Sequence, residues 1–214
     1  MERFLFLILA VLLGGCEPHA ESQSECQFHD DFYYVSSDGK KCDLKRMVDE
    51  YYLVIKTSNV DKVLCQLGGE NLQVLSGPSP KNFSWDDECT NSGLLDNCSY
   101  ICVKGNVNLS NVQDVVYWGH VYYAESRNEI MRNNIFWVKY DENEESVQME
   151  LLLEYARQHN VIPLGRMMNV MEFACTIYSS GNPIEMANWF METGKFELAQ
   201  PRLYGSISID KDVL

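Results

Sequence analysis

Asn182-Pro183-Ile184-Glu185-Met186-Ala187-Asn188 is the stretch on which the fold reading turns. Asn182 offers a side-chain acceptor to the free N–H groups of a helix start, Pro183 has the φ of a first helical turn, and Glu185 stands three residues after the cap. A helix therefore opens at Pro183, and Gly194 closes it. Residues 161–168 and 170–178 before it read as strands, as do residues 196–203 after it. Further upstream, residues 135–140 alternate as a strand. The acidic run Asp141 to Glu145 suits the positive end of a helix, whose apolar face is Val147, Leu151, Leu152, Tyr155 and Ala156, with Asn160 as its cap. The order is β–α–β–β–α–β, the split βαβ or ferredoxin-like arrangement. Right-handed crossovers then place both helices on one face of an antiparallel sheet and leave the other face free.

The first half reads as a looser version of the same plan. Phe32-Tyr33-Tyr34-Val35 is a strand, and Ser36-Ser37-Asp38-Gly39 a hairpin turn. Residues 51–57 read as a strand, although Leu44, Met47, Val48, Tyr51 and Ile55 also fall at helical spacing. Ser58 and Asp61 make a capping-box pattern before a short helix, with Val60, Val63, Leu64 and Leu67 on one face and Gly68 at its end. Residues 72–75 read as a strand and 77–97 as a long loop, 100–104 as a strand, 109–113 as a small helix and 115–123 as a strong β run. The expected fold class is α+β: two tandem ferredoxin-like units with antiparallel sheets and helices on one face. The expected division is 1–15 signal peptide, 16–30 tether, 31–125 amino-terminal module, 126–204 second unit and 205–214 tail.

Lys plus Arg number 17 against 31 Asp plus Glu, a net charge of −14 in 214 residues. Such a surface repels phosphate backbones, and no basic stripe offsets it, so nucleic acid is not an expected partner. A basic partner is compatible with it.

The amino terminus points to a compartment. Arg3 precedes an apolar run from Phe4 to Leu13, which ends in Leu13-Gly14-Gly15-Cys16. The run is too short to span a bilayer, which takes about 20 residues, and matches a signal-peptide core. Its ending resembles the bacterial lipobox, with Cys16 as the lipidated first residue of the mature chain. The alternatives are an ordinary secretory signal that contains a cysteine, or a eukaryotic secreted protein. The triplets at Asn82, Asn97 and Asn108 suit the latter but arise readily by chance. Cys26, Cys42, Cys65, Cys89, Cys98, Cys102 and Cys175 are then odd in number, so at least one stays unpaired within the chain. Their spacing does not suit zinc, and pairing of Cys89 with Cys98 or Cys102 is left open.

Other clusters read as structural. Asp141, Asn143 and Glu145 mimic the start of a calcium loop without its glycine or its last carboxylate. Met167, Met168, Met171, Met186 and Met191 read as core, as do Trp118, Trp137 and Trp189, with Trp85 exposed. His120 reads as a satisfied structural histidine. No metal, cofactor or catalytic residue is expected.

Residues 170–204 carry a family resemblance. The helix beginning at Asn182, followed by Gly194-Lys195-Phe196-Glu197-Leu198-Ala199-Gln200-Pro201, resembles the end of a subtilisin-type propeptide domain. In that family the second helix carries apolar-Ala-Asn and the last strand runs apolar-Glu-x-Ala-Glu-Pro-Asn. Gln200 here replaces the usual Glu and Arg202 the usual Asn. Asn134-Ile135-Phe136-Trp137-Val138-Lys139-Tyr140 is similar to the family's first prodomain strand. Phe32-Tyr33-Tyr34 and its Asp-Gly-Lys turn resemble the extra amino-terminal module of Bacteroidetes subtilase lipoproteins. The likeness is best from 115 to 204. The peptidase's Asp, His and Ser motifs are absent from this sequence, so the resemblance implies a non-enzymatic module. It would act as inhibitor or folding chaperone of a subtilisin-family serine peptidase, docking through its open sheet face. A tail comprising Tyr204, Ser206, Ile207, Ser208 and Ile209 would enter the cleft as an added strand. The other expectation is an acidic, immunity-type envelope lipoprotein that neutralises a basic partner.

Overall fold

The computed structural model describes residues 32–68, 72–80, 95, 97–107, 109, 113–124 and 128–205. The signal-like segment, Cys16, the tether, Cys26, Cys89, Trp85, Asn82, Asn108 and tail residues Ser206, Ile207, Ser208 and Ile209 lie outside them.

The described chain is α+β and mostly strand, with three antiparallel sheets and three helices among the described residues. β1 (Tyr33–Val35) and β2 (Lys41–Asp43) form a hairpin turned at Gly39, whose φ of 76° is left-handed. A four-stranded sheet follows the order β11 (Leu198–Pro201), β8 (Ile135–Lys139), β10 (Val170–Ala174), β9 (Ile162–Met167), with every neighbour antiparallel. α2 (Glu145–Gln158) joins β8 to β9, and α3 (Pro183–Glu192) joins β10 to β11. In chain order these strands lie fourth, first, third, second.

The six-stranded sheet runs β12 (Tyr204–Gly205), β7 (Glu129–Met131), β6 (Val115–Ala124), β3 (Lys45–Lys56), β5 (Cys98–Lys104), β4 (Gln73–Pro80). Its run β6-β3-β5-β4, with α1 (Val60–Leu67) between β3 and β4, repeats the fourth-first-third-second order.

Alternation along the strands explains the packing. Leu53, Ile55, Ile101 and Val103 face α1, where Val63 and Leu67 complete one core. Tyr52, Val54, Tyr100 and Cys102 on the other face belong to a second core. That core also holds Phe136, Val138, Phe173 and Phe190, so it runs through both halves of the chain. Phe136 and Phe173 stack at 5.3 Å and meet Phe190 of α3 at 5.5 and 5.7 Å, which fixes the helix-covered face of the smaller sheet.

The opposite face of that sheet departs from expectation: it is not free along its whole length. Ile135 and Ala174 point away from Phe136 and Phe173, yet both are fully buried. Trp137 and Gln200 on that face are half-buried, as are Lys139, Val170 and Leu198 at its far end.

Several elements differ from the reading of the sequence. The strand expected over residues 51–57 holds to Lys56 and begins earlier, at Lys45, because the β-branched and aromatic run pairs on both sides. Ser58 is not a cap. The chain leaves β3 through a 3-10 turn, Thr57–Asn59, so Asn59 takes the cap position without a side-chain cap bond and the Ser58 hydroxyl donates to Asn59. Residues 77–80 are strand, not loop. β4 is an edge strand, where Pro78 and Pro80 need donate no ladder bond on the outer side. Val147 is 69% exposed, and Gln148 is buried in its place, accepting from the Asp141 N–H and donating to Glu144. The strand expected to reach Tyr178 stops at Ala174, because the Ser179 hydroxyl accepts from the Thr176 N–H and folds the chain into a turn. β7 had no counterpart in the sequence reading. Leu109 sits in a 3-10 turn.

Candidate functional site

β6 and α3 meet around a pocket of about 380 Å³. It is lined by residues 117–120 and Tyr122 of β6, Phe32, the segment from Thr176 to the α3 cap Asn182, and Glu185 of α3. Side chains of consecutive strand residues point to alternate faces. A pocket that touches four in succession therefore opens on the edge of the strand. Pairing agrees: β6 pairs with β3 from Val115 to Tyr123 but with β7 only from Tyr122 to Ala124. Among the described residues, no strand pairs with residues 117–121 on that second side.

α3 is held in place by its cap. Asn182 Oδ1 accepts from the N–H groups of Ile184 and Glu185, at 2.9 and 3.1 Å, and Glu185 Oε2 accepts from the Asn182 N–H at 2.7 Å. This carboxylate, which lines the pocket, thus neutralises the positive helix end. Burial pushes its pKa up from the usual value, because the charged form is poorly solvated there.

His120 packs on Tyr51 at 4.9 Å between ring centroids. Its Nδ1 is buried without a hydrogen-bond partner among the described residues. Burial lowers its pKa, and the Arg46 charge lowers it further, so the neutral imidazole is favoured. Trp118, which lines the pocket, is 40% exposed, contrary to the core position expected of it; among the described residues its edge of the sheet has no partner strand. Ile177 and Tyr178 beside it are 48% and 76% exposed.

The Thr176 and Ser179 hydroxyls beside the pocket are committed. Thr176 Oγ1 accepts from the Tyr178 N–H, and Ser179 Oγ donates to the Asn160 carbonyl. The fully buried Cys175 thiol is pushed well up in pKa by desolvation and stays protonated. The site offers aromatic faces, one carboxylate and an unpaired strand edge, which are groups for binding. Among the described residues there is no grouping of three or more metal-ligating side chains.

Of the residues expected to contact a partner, Tyr204 is described. It belongs to β12 and pairs with Ile130 of β7, and the Arg202 guanidinium carbon lies 5.9 Å from its ring. The methionines divide: Met171 and Met186 are core as expected, whereas Met167 and Met168 are exposed at the β9–β10 turn, where Met168 has a φ of 55°. Trp137 and Trp189 are half-buried, and Cys98, Cys102 and Cys175 are buried. The pocket itself was not foreseen. Gly119 within an aromatic strand was its signal, since a glycine inside a strand often marks a close approach, here of the Tyr117 ring.

No protein-family model, curated protein or solved structure significantly matches the chain.

Proposed function

We propose that the chain is a non-enzymatic protein of a bacterial cell envelope, lipid-anchored at Cys16, that binds a subtilisin-family serine peptidase as a propeptide does. The observation that carries this reading is the wiring of residues 135–201: β–α–β–β–α–β with strands in the order fourth, first, third, second. The same order in β6-β3-β5-β4 supports reading the chain as two tandem ferredoxin-like units. The docking surface is then the half-buried end of the smaller sheet, at Lys139, Val170 and Leu198. Tyr204, held in β12, marks where the cleft-filling segment leaves the folded body, and Ser206, Ile207, Ser208 and Ile209 alternate as an added strand would.

The test mixes the chain lacking residues 1–16 with purified subtilisin-type peptidases. Inhibition by this chain, and its loss in a version ending at Gly205, is the expected outcome. Peptidase activity unchanged at every concentration overturns the reading.

The net charge of −14 favours a second reading, an immunity-type lipoprotein that neutralises a basic protein. Protection of cells against a basic toxin, with no effect on peptidases, would select it.

A further inference from the structure

We propose that the free edge of β6 is a docking site for an extended peptide segment that adds to the six-stranded sheet and places a Lys or Arg side chain in the pocket at Glu185. This rests on the reading of the chain as a partner-binding module and names a surface separate from the tail.

Among the described residues no strand pairs with 117–121 on this side, and the edge already takes one main-chain rung. The Ile177 N–H donates to the Val116 carbonyl at 2.9 Å, just before the unpaired stretch 117–121 begins. At about 3.4 Å per residue, that stretch accommodates a segment of roughly five residues. Unpaired strand edges are the usual template for such additions.

Charge and rim select the occupant. Glu185 is the carboxylate in the pocket and is absent from the ion pairs of the described residues. An incoming cation would relieve the burial that disfavours its charge. Trp118, which lines the pocket and is partly exposed, suits an ammonium or guanidinium, and the net charge of −14 draws basic segments toward the protein. Arg46, near enough to His120 to lower its pKa, opposes the cation but does not line the pocket. Exposed Trp118 and Ile177, both lining the pocket, supply apolar area there.

The probe is the blocked peptide acetyl-Thr-Val-Lys-Val-Thr-amide, titrated calorimetrically against the chain lacking residues 1–16. Three comparisons read the proposal. Replacing the probe's lysine by norleucine should weaken binding by at least about tenfold, since it removes a charge-assisted contact. N-methylating alternate probe amides should abolish binding, since it removes the rungs. Glu185→Gln should erase the lysine preference while retaining the fold, because glutamine also completes a capping box. Absence of saturable binding, equal binding of the norleucine or the N-methylated peptide, or an unaltered lysine preference in Glu185→Gln would each overturn it. Peptide binding without peptidase inhibition would leave this site standing and remove the peptidase reading. Inhibition without peptide binding would do the reverse.

Discussion

Arg202 Nη1 donates to both carboxylate oxygens of Glu172, at 3.2 Å each, across the face of the smaller sheet that its helices do not cover. Glu172 lies on β10 and is 9% exposed. A carboxylate so placed costs free energy unless a cation accompanies it. Arg202→Met should therefore destabilise the fold by about 1–2 kcal/mol, below the range for fully buried pairs because Arg202 itself remains partly in water. Adding Glu172→Gln should recover part of the loss. Urea-denaturation midpoints of the two single variants and the double variant measure the coupling, and purely additive effects would show that the pair does not act as a unit.

The α3 cap is the second quantity to measure. Asn182 accepts from two N–H groups and Glu185 accepts from the Asn182 N–H. Asn182→Ala should cost about 1 kcal/mol, and Glu185→Gln much less, since an amide oxygen can accept the same bond. Thermal unfolding of the two variants checks the ranking. Equal losses would mean that the charge at position 185, rather than its hydrogen bond, supports the helix.

What was legible in the sequence follows from how local each signal is. The α3 cap is spelled out by neighbouring residues, Asn182, Pro183 and Glu185, and it forms as read. The wiring of residues 135–201 was legible because helix and strand periods alternate cleanly there. The pocket was not, because it depends on where β7 stops pairing with β6, a relation between distant segments that leaves no local pattern. The burial of Ile135 and Ala174 was equally hidden: alternation says which side of a strand a residue faces, not what lies against that side. Ser58 failed as a cap for a smaller reason. A 3-10 turn intervened and shifted the helix start to Val60.

Stability should depend on pH through two histidines. Burial lowers the pKa of His120 and of His159 from the ordinary value of 6.5, with Arg46 adding to the effect at His120. Between that value and the lower folded value, the unfolded chain holds the extra protons, so stability falls as pH falls through the window. Glu185 acts in the opposite sense at lower pH. Burial raises its folded pKa above 4.5, so the folded chain there binds the extra proton and gains stability on acidification. Urea midpoints at about pH 7.5 and about pH 5.5 should therefore fall on acidification in the parent chain. They should move less in His120→Asn/His159→Asn. An equal fall in that double variant would assign the pH dependence to other groups.

Gly119 should resist even its smallest replacement. A Cβ there would lie 2.5 Å from Tyr117 Oη and 3.0 Å from the adjoining ring carbon, because the Tyr117 ring folds back along its own strand across the glycine. Tyr117 is only 5% exposed and its ring is rigid, so it has little room to give way. Gly119→Ala should therefore cost about 1–3 kcal/mol, the range for overpacking a filled core. The backbone entropy that alanine saves in the unfolded chain, about 0.4–1 kcal/mol, offsets only part of that. Tyr117→Phe removes the closest atom and should soften the penalty when combined with Gly119→Ala. A double-mutant cycle on unfolding free energies reads that coupling. A Gly119→Ala protein as stable as the parent would mean that the tyrosine moves aside freely, and that the wall of the pocket is more pliable than its packing suggests.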